Sequence, residues 1–445
     1  MSGIAASVRN GLRLRGRSRS RSKEKPLEYT LLLTATMCLL TFGAVMVFSA
    51  SSSASLLNDG DSLFYLKKTL MFGAVGLVVL KILSMQRLAN VRRLTGALLI
   101  AAVGLLLVTK VMGTSVNGAQ RWLAFGPIQI QSSEIAKVAL LLYAASILAE
   151  RPQMIRDLRS LRPVLLVAGG VCALVVVEPD LGTAMVTAFS IAALLIAAGA
   201  KLRHLAMIAG ALLLVVAIAV LMEPYRMARL TSFINPGADA AGAGFQGQQA
   251  TIALGSGGIF GVGIGESVQK AFYLPEAHTD MIAAVIGEEL GLIGISLLVG
   301  AYMVFGYAGF RTAQKAKDRY GRLLAAGLTA MILVQASINL FAVLGLAPLT
   351  GVTLPFVSYG NSSLIVALAS VGLILNVANG GSARMAAAGA RRRFRVVDGG
   401  RSARPAPRRT ASRGSSRAGG DRSRRHSGAR GSGAGRRRRA RRARR

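Results

Sequence analysis

Seven ionisable side chains fall inside or at the ends of long apolar stretches: Glu134, Lys137, Glu178, Asp180, Asp280, Glu288 and Glu289. A charge at membrane depth is expensive, so each is a candidate for function. The sharpest chemistry belongs to Asp280. It closes the stretch Leu274-Pro275-Glu276-Ala277-His278-Thr279-Asp280, which sets a histidine and two carboxylates at the start of an apolar run. A carboxylate partly withdrawn from water there could take a raised pKa and serve as a general base. The plainer role for Thr279 or Asp280 is that of a helix N-cap.

Glu134 and Lys137 are three residues apart and share a helix face. They are either a self-neutralising pair that eases burial or a cationic contact for an anionic substrate. Glu178-Pro179-Asp180-Leu181-Gly182-Thr183 joins two apolar stretches with almost no loop. Asp180 and Thr183 could cap the second of them; contact with substrate or a partner is the other reading. Leu354–Ser363 offers the hydroxyls of Ser358, Ser362 and Ser363 and free backbone amides, which could bind phosphate oxygens. A turn stabilised by Ser and Tyr is the alternative. There is no Walker sequence, no dinucleotide fingerprint and no His/Cys metal spacing. Cys38 and Cys172 sit inside apolar blocks without a disulfide framework, and His204 and His426 read as surface residues.

The elements that must position these groups are membrane spans. The chain has 445 residues, 52% of them hydrophobic. The apolar residues gather in blocks of roughly 18–22, the length that crosses the hydrocarbon of a bilayer as a helix. Ten spans are expected, at 30–50, 66–84, 94–111, 133–149, 162–178, 182–200, 203–222, 279–305, 323–344 and 360–379. Basic residues fall in alternate loops. Lys81, Arg87, Arg92 and Arg93 form one group; Arg151, Arg156, Arg159 and Arg162 a second; Lys201 and Arg203 a third; Arg311, Lys315, Lys317, Arg319 and Arg322 a fourth. The intervening loops hold few basic residues beyond Arg121, Arg226, Arg229 and Lys270. This pattern places both termini in the cytoplasm. The fold class is therefore an all-α polytopic membrane protein of about ten transmembrane helices. A long Gly-rich extracytoplasmic loop, Glu223–His278, lies between spans 7 and 8. All the candidate charges except Glu288 and Glu289 then lie near the outer ends of their helices.

The formal charge of +35 is concentrated at the ends of the chain. Residues 1–29 form a basic arm, 30–379 the membrane domain, and 380–445 an Arg-rich, low-complexity tail with only Asp398 and Asp421 as acids. Such a tail cannot bury a core and is expected to be disordered. It serves as a topology anchor or binds anionic lipid headgroups, a reading favoured over nucleic acid beside a membrane. The first span is too long for the core of a cleaved signal peptide and reads as a retained signal anchor.

Several segments together resemble a known family. They are Asn117-Gly118-Ala119-Gln120-Arg121-Trp122, Gln131-Ser132-Ser133-Glu134-Ile135-Ala136-Lys137, Glu178–Thr183, Leu274–Asp280 followed by Gly287-Glu288-Glu289-Leu290-Gly291, and Leu354–Ser363. In this order, over about residues 30–379, the chain resembles the family of shape, elongation, division and sporulation (SEDS) proteins, its cell-division branch more than its elongation branch. The resemblance implies a peptidoglycan glycosyltransferase in the bacterial cytoplasmic membrane that polymerises lipid II on the outer face. It implies a class B penicillin-binding protein and other division proteins as partners, and a divalent cation (Mg or Mn) as cofactor. The family's essential aspartate falls on Asp280, and its conspicuous Trp and Lys on Trp122 and Lys137. The substrate contacts it suggests are Arg121, Trp122, Glu134, Lys137, Asp180, Thr183, Arg226, Arg229, His278, Ser358, Ser362 and Ser363. The family has Gly-Gly-Ser-Ser where this chain has Gly360-Asn361-Ser362-Ser363; asparagine tolerates a left-handed backbone, so the turn is expected to survive.

Two rival classes remain at this level. A flippase for lipid II needs a polar path through the whole membrane, for which Glu288 and Glu289 are the candidates. A non-catalytic division scaffold would make Asp280 dispensable.

Overall fold

A computed structural model of the chain describes residues 25–381, except 117, 118, 126, 127, 236–241 and 243. The tail from 382, residues 1–24 of the basic arm and the first two residues of the Asn117–Trp122 motif lie outside the described residues. The helices are α1 (Leu27–Asp59), α2 (Phe64–Met85), α3 (Leu88–Met112), α4 (Ser132–Glu150), α5 (Leu158–Val177), α6 (Leu181–Ala198) and α7 (Leu202–Leu221). They continue with α8 (Pro224–Ile234), α9 (Phe245–Gly257), α10 (Gln269–Phe272), α11 (Ile282–Lys315), α12 (Arg319–Val343) and α13 (Asn361–Ala378). Among the described residues ten of these, all but α8, α9 and α10, are long and apolar enough to cross a membrane.

The expected order and number of spans hold, and the differences have physical causes. The third span begins at Leu88 rather than 94. The eighth runs to Lys315 rather than 305. Long cationic side chains such as Arg311 and Lys315 let a helix continue into the headgroup layer, and Lys315 is bonded to Glu28 at the start of α1. The eighth span starts at Ile282, not 279, because Glu276 adopts φ 55° and residues 275–281 turn. Neither Thr279 nor Asp280 is its N-cap; that position is Met281, with no side-chain cap.

Burial divides the helices. In α12 and α13 78% of the apolar segment is buried, and in α7 none of it. The first two form the centre, and α7 faces outward. Close helix contact rests on small residues, since lipid gives no hydrophobic drive between helices. A Cβ on Gly372 of α13 would stand 2.6 Å from the carbonyl oxygen of Leu80 on α2.

The outer segments are folded, not extended. The stretch 112–132, between the expected third and fourth spans, holds a three-stranded antiparallel sheet, β1 (Thr114–Val116), β2 (Ala119–Phe125) and β3 (Ile128–Gln131), ordered β1-β2-β3. The Gly-rich segment carries α8, α9 and α10. Its turn 257–263 enters a break in α11 at Gly291 (φ 64°, ψ −160°). There Val262 donates to the Glu288 carbonyl at 2.9 Å, Gly263 to Glu289 at 3.1 Å, Leu292 to Gly258 at 3.0 Å and Ile293 to Ile259 at 3.2 Å. Broken helix and turn thus satisfy each other's backbone groups, as membrane depth requires. The ψ of Gly291 lies in a region essentially reserved for glycine, and a Cβ there would stand 2.5 Å from the Gly261 nitrogen.

Candidate active site

Four segments meet at the outer end of α12: the turn before α11, the end of β3 with α4, the loop 345–360, and the first turn of α13. Asp280 precedes α11 and is only 9% exposed. Burial pushes its carboxyl up to about 6, and Glu276 adds to the rise; Arg229, a backbone hydrogen bond and the Thr279 hydroxyl oppose it. Thr279 Oγ1 lies 3.2 Å from Asp280 Oδ1 and 3.1 Å from Glu276 Oε2. A Cβ on Gly351 (φ 70°) would stand 3.9 Å from Asp280 Oδ2, an ordinary contact, so the loop lies directly beside that oxygen. His278 holds the segment. Its carbonyl accepts from Tyr359 N–H at 2.9 Å, and its ring lies against Tyr65 at 4.3 Å. Burial lowers the imidazole pKa, against the opposing charge of Glu276.

On α4, Lys137 Nζ donates to Glu134 Oε1 at 2.8 Å and to Gln335 Oε1 at 2.5 Å. Both residues of the pair are buried. Gln335 Nε2 in turn donates to the Thr353 carbonyl at 3.0 Å and lies 3.4 Å from Ser363 Oγ. Ser362 Oγ accepts from Gln131 N–H at 3.2 Å, and Ser358 Oγ accepts from Leu354 N–H at 2.8 Å. The three serines therefore brace the loop and the start of α13. Asn361 opens α13 with a negative φ, so no left-handed residue is needed there and the expected reason for tolerating Asn does not apply. Its Oδ1 is buried without a partner among the described residues.

Asp180 takes the capping role, accepting from Thr183 N–H at 3.1 Å. It also accepts from Gln131 Nε2 at 2.8 Å and Ser133 Oγ at 2.9 Å, which ties the sheet and α4 to the α5–α6 turn. Beside it, burial pushes Glu178 up to about 7, with Ser132 opposing and Asp180 reinforcing. Arg121 donates to the Pro179 carbonyl. Trp122 pairs with Thr114 and Gln131 in the sheet and is half-buried. Arg226 donates to the carbonyls of Ala219 and Val176. Arg229 borders a cavity. It donates to the Leu349 carbonyl at 3.0 Å and lines a cavity of about 530 Å³ with Ser232, Phe233, Gln248, Thr251 and Leu344.

Glu288 and Glu289 do not border that space. Glu289 accepts from Lys270 Nζ at 2.6 Å and from Ser49 Oγ at 2.7 Å. Glu288 is bonded to the Ser267 hydroxyl and accepts from Val268 N–H at 3.1 Å. No three His, Cys, Asp or Glu side chains gather into a metal-sized cluster among the described residues. Among the described residues, then, the chain's own donors make no cage for the expected divalent ion. Gln335, Asn339, Thr353 and Tyr65 escaped the sequence reading, and Gln131 entered it only as part of a motif. The polar pair 335 and 339 in an apolar span was the one signal for the first two.

The model of the cell cycle protein family that takes in FtsW, RodA and SpoVE matches residues 29–382. The chain belongs to this family. Among curated FtsW/RodA/SpoVE proteins, it is 42% identical over 350 residues to a probable peptidoglycan glycosyltransferase FtsW of Thioalkalivibrio sulfidiphilus, covering 77% of this chain and 87% of that one. It is 38% identical to the stage V sporulation protein E of Bacillus subtilis, covering 78% and 96%. Among solved structures, a chain of a peptidoglycan synthase complex superposes with a TM-score of 0.66 at 30% identity, over 78% and 97% of the two chains. The rod shape determining protein RodA of Thermus thermophilus gives 0.58 at 27% identity, over 78% and 96%. FtsW-named relatives and RodA structures thus flank the chain within one family of multi-pass membrane proteins.

Proposed function

We propose that this protein is a peptidoglycan glycosyltransferase of the cell-division branch, polymerising lipid II at the outer face of the cytoplasmic membrane with Asp280 as general base. Both termini are then cytoplasmic, and the working partner is a class B penicillin-binding protein. The observation that carries the reading is a buried carboxylate, outside any ion pair among the described residues, with a pKa pushed up to about 6. A base poised near the working pH is what removing a proton from a sugar hydroxyl requires. The names of the relatives support the reaction class.

The leaving group is a lipid pyrophosphate, whose departure needs positive charge. Arg229 suits that role because it both acts on Asp280 and lines the cavity. Apolar Phe233 and Leu344 beside it suit the first carbons of a lipid. Lys137 is engaged by Glu134 and Gln335 and shapes the site from behind. A divalent ion would supply further charge on the phosphates, but the described residues offer it no cage and no step here depends on it. The transport reading is disfavoured because Glu288 and Glu289 are engaged by donors from the Gly-rich segment and from Ser49 of α1, not arrayed along a path.

The test is glycan polymerisation from labelled lipid II in detergent, with and without class B synthases, comparing wild type with Asp280→Asn. Long strands from wild type alone, with the variant folded, are expected. Strands from both proteins would remove Asp280 from the chemistry; strands from neither, with a partner known to be competent, would favour transport or scaffolding.

A further inference from the structure

The centre of the bundle carries two buried amides one turn apart on α12, Gln335 and Asn339. Neither position is one where an apolar helix gains by a polar residue. Asn339 spends both N–H protons on backbone carbonyls, that of Asp280 at 2.7 Å and that of Val352 at 2.7 Å. The orientation of the amide is fixed by chemistry: flipped, its oxygen would face two carbonyl oxygens. Its own Oδ1 is left buried without a partner among the described residues. An orphaned acceptor is a standing cost, so the residue is held for its two donors. Gln335 is fixed in the same way, because its acceptor must face the ammonium of Lys137 and its donors face Thr353 and Ser363.

We infer that Asn339 and Gln335 are positioning residues, a rigid pair on one helix that sets the Asp280 segment and Lys137 against the loop 345–360. The inference rests on Asp280 being the reactive carboxylate of the site proposed above. A helix turn is a stiff spacer of about 5.4 Å. Each amide clamps one segment to the same loop, the Asp280 segment by Asn339 through Val352 and Lys137 by Gln335 through Thr353. Loosening either clamp moves Asp280 relative to the groups that frame it, and displacements of an ångström cost rate steeply.

Loosening the Asn339 clamp also admits water to Asp280. Burial is the largest cause of its raised pKa, so hydration draws it down towards the ordinary carboxylate range. The charged groups that act on Asp280 are Glu276 on its own segment and Arg229 on α8. The facing loop 345–353 contains no titratable side chain, and α12 contributes amides there.

The experiment uses full-length protein in detergent and follows two readouts. One is the pH profile of kcat and KM for lipid II polymerisation. The other is infrared titration of 13C-labelled aspartate, with the Asp280 band assigned by its loss in Asp280→Asn. For Asn339→Ala, kcat is expected to fall on the order of tenfold to a hundredfold with KM little changed. The acid limb and the Asp280 band should both move to lower pH. Asn339→Ser keeps one donor and covers the case in which the alanine variant does not fold; it should show a smaller loss and a smaller shift. A lowered melting temperature with the limb and the band unmoved in the serine variant would overturn the inference and leave Asn339 as packing. If wild type makes no strands, the polymerase reading falls by itself, and the band alone decides: moved, Asn339 positions Asp280; unmoved, it does not.

Discussion

Asp280 and Glu289 are both buried carboxylates, one just before α11 and one within it, and their surroundings are opposite. Glu289 has the Lys270 ammonium at 2.6 Å and the Ser49 hydroxyl at 2.7 Å. Asp280 has a threonine hydroxyl at 3.2 Å and a second carboxylate nearby. A buried charge saturated by donors is a structural tie. One left with weak solvation and a like-charged neighbour is held ready to take a proton. On the proposed function, the contrast separates chemistry from architecture where residue type alone does not.

The strongest way to break this comparison is to exchange the two roles. Asp280→Asn should lower polymerisation by about 10²–10⁴-fold, the range typical of a lost general base, in the lipid II assay. The same change should raise stability. The folded pKa of about 6 lies above the ordinary 3.8, so the group favours the fold below about pH 4 and that advantage is lost as pH rises through 6. At about 1.4 kcal/mol per unit, asparagine should gain roughly 3 kcal/mol at pH 8 and nothing at pH 4, read by thermal unfolding in detergent at both values. Lys270→Met should do the reverse, costing about 3–5 kcal/mol by stranding Glu289. Joint replacement with Glu289→Met should recover most of the loss, and an unchanged melting temperature in the single variant would break the comparison.

Smaller effects sharpen it. Gly291→Ala should cost on the order of 1–3 kcal/mol, because that backbone conformation is strained for any side chain and the turn leaves no room. The wild-type pH profile should lose activity about tenfold per unit below about pH 6, where Asp280 is protonated and cannot accept a proton. The smallest change is expected from Glu150→Gln. Its pair with Arg92 is partly exposed, and such pairs are worth about 0–1 kcal/mol.

The sequence made the spans legible because burial in lipid demands long apolar blocks and loop charge alternates around them. It also exposed the local pairs, Glu134 with Lys137 and Asp180 with Thr183, which are neighbours on one helix or at one cap. It hid contacts made across the fold. Lys270 and Glu289 are 19 residues apart with a turn between them, and Asn339 meets Asp280 across 59. The strands β1–β3 are three, seven and four residues long, too short and mixed in polarity to stand out. Asn361 shows the same limit, since its motif suggested a special turn and the residue instead begins an ordinary helix.

The break in α11 has a mechanical meaning. Residues 257–263 hold the helix on both sides of Gly291, through Glu288 and Glu289 before it and Leu292 and Ile293 after it. The turn therefore works as a splint across the break: it keeps the two halves at one angle, and with them the Asp280 segment that precedes the outer half.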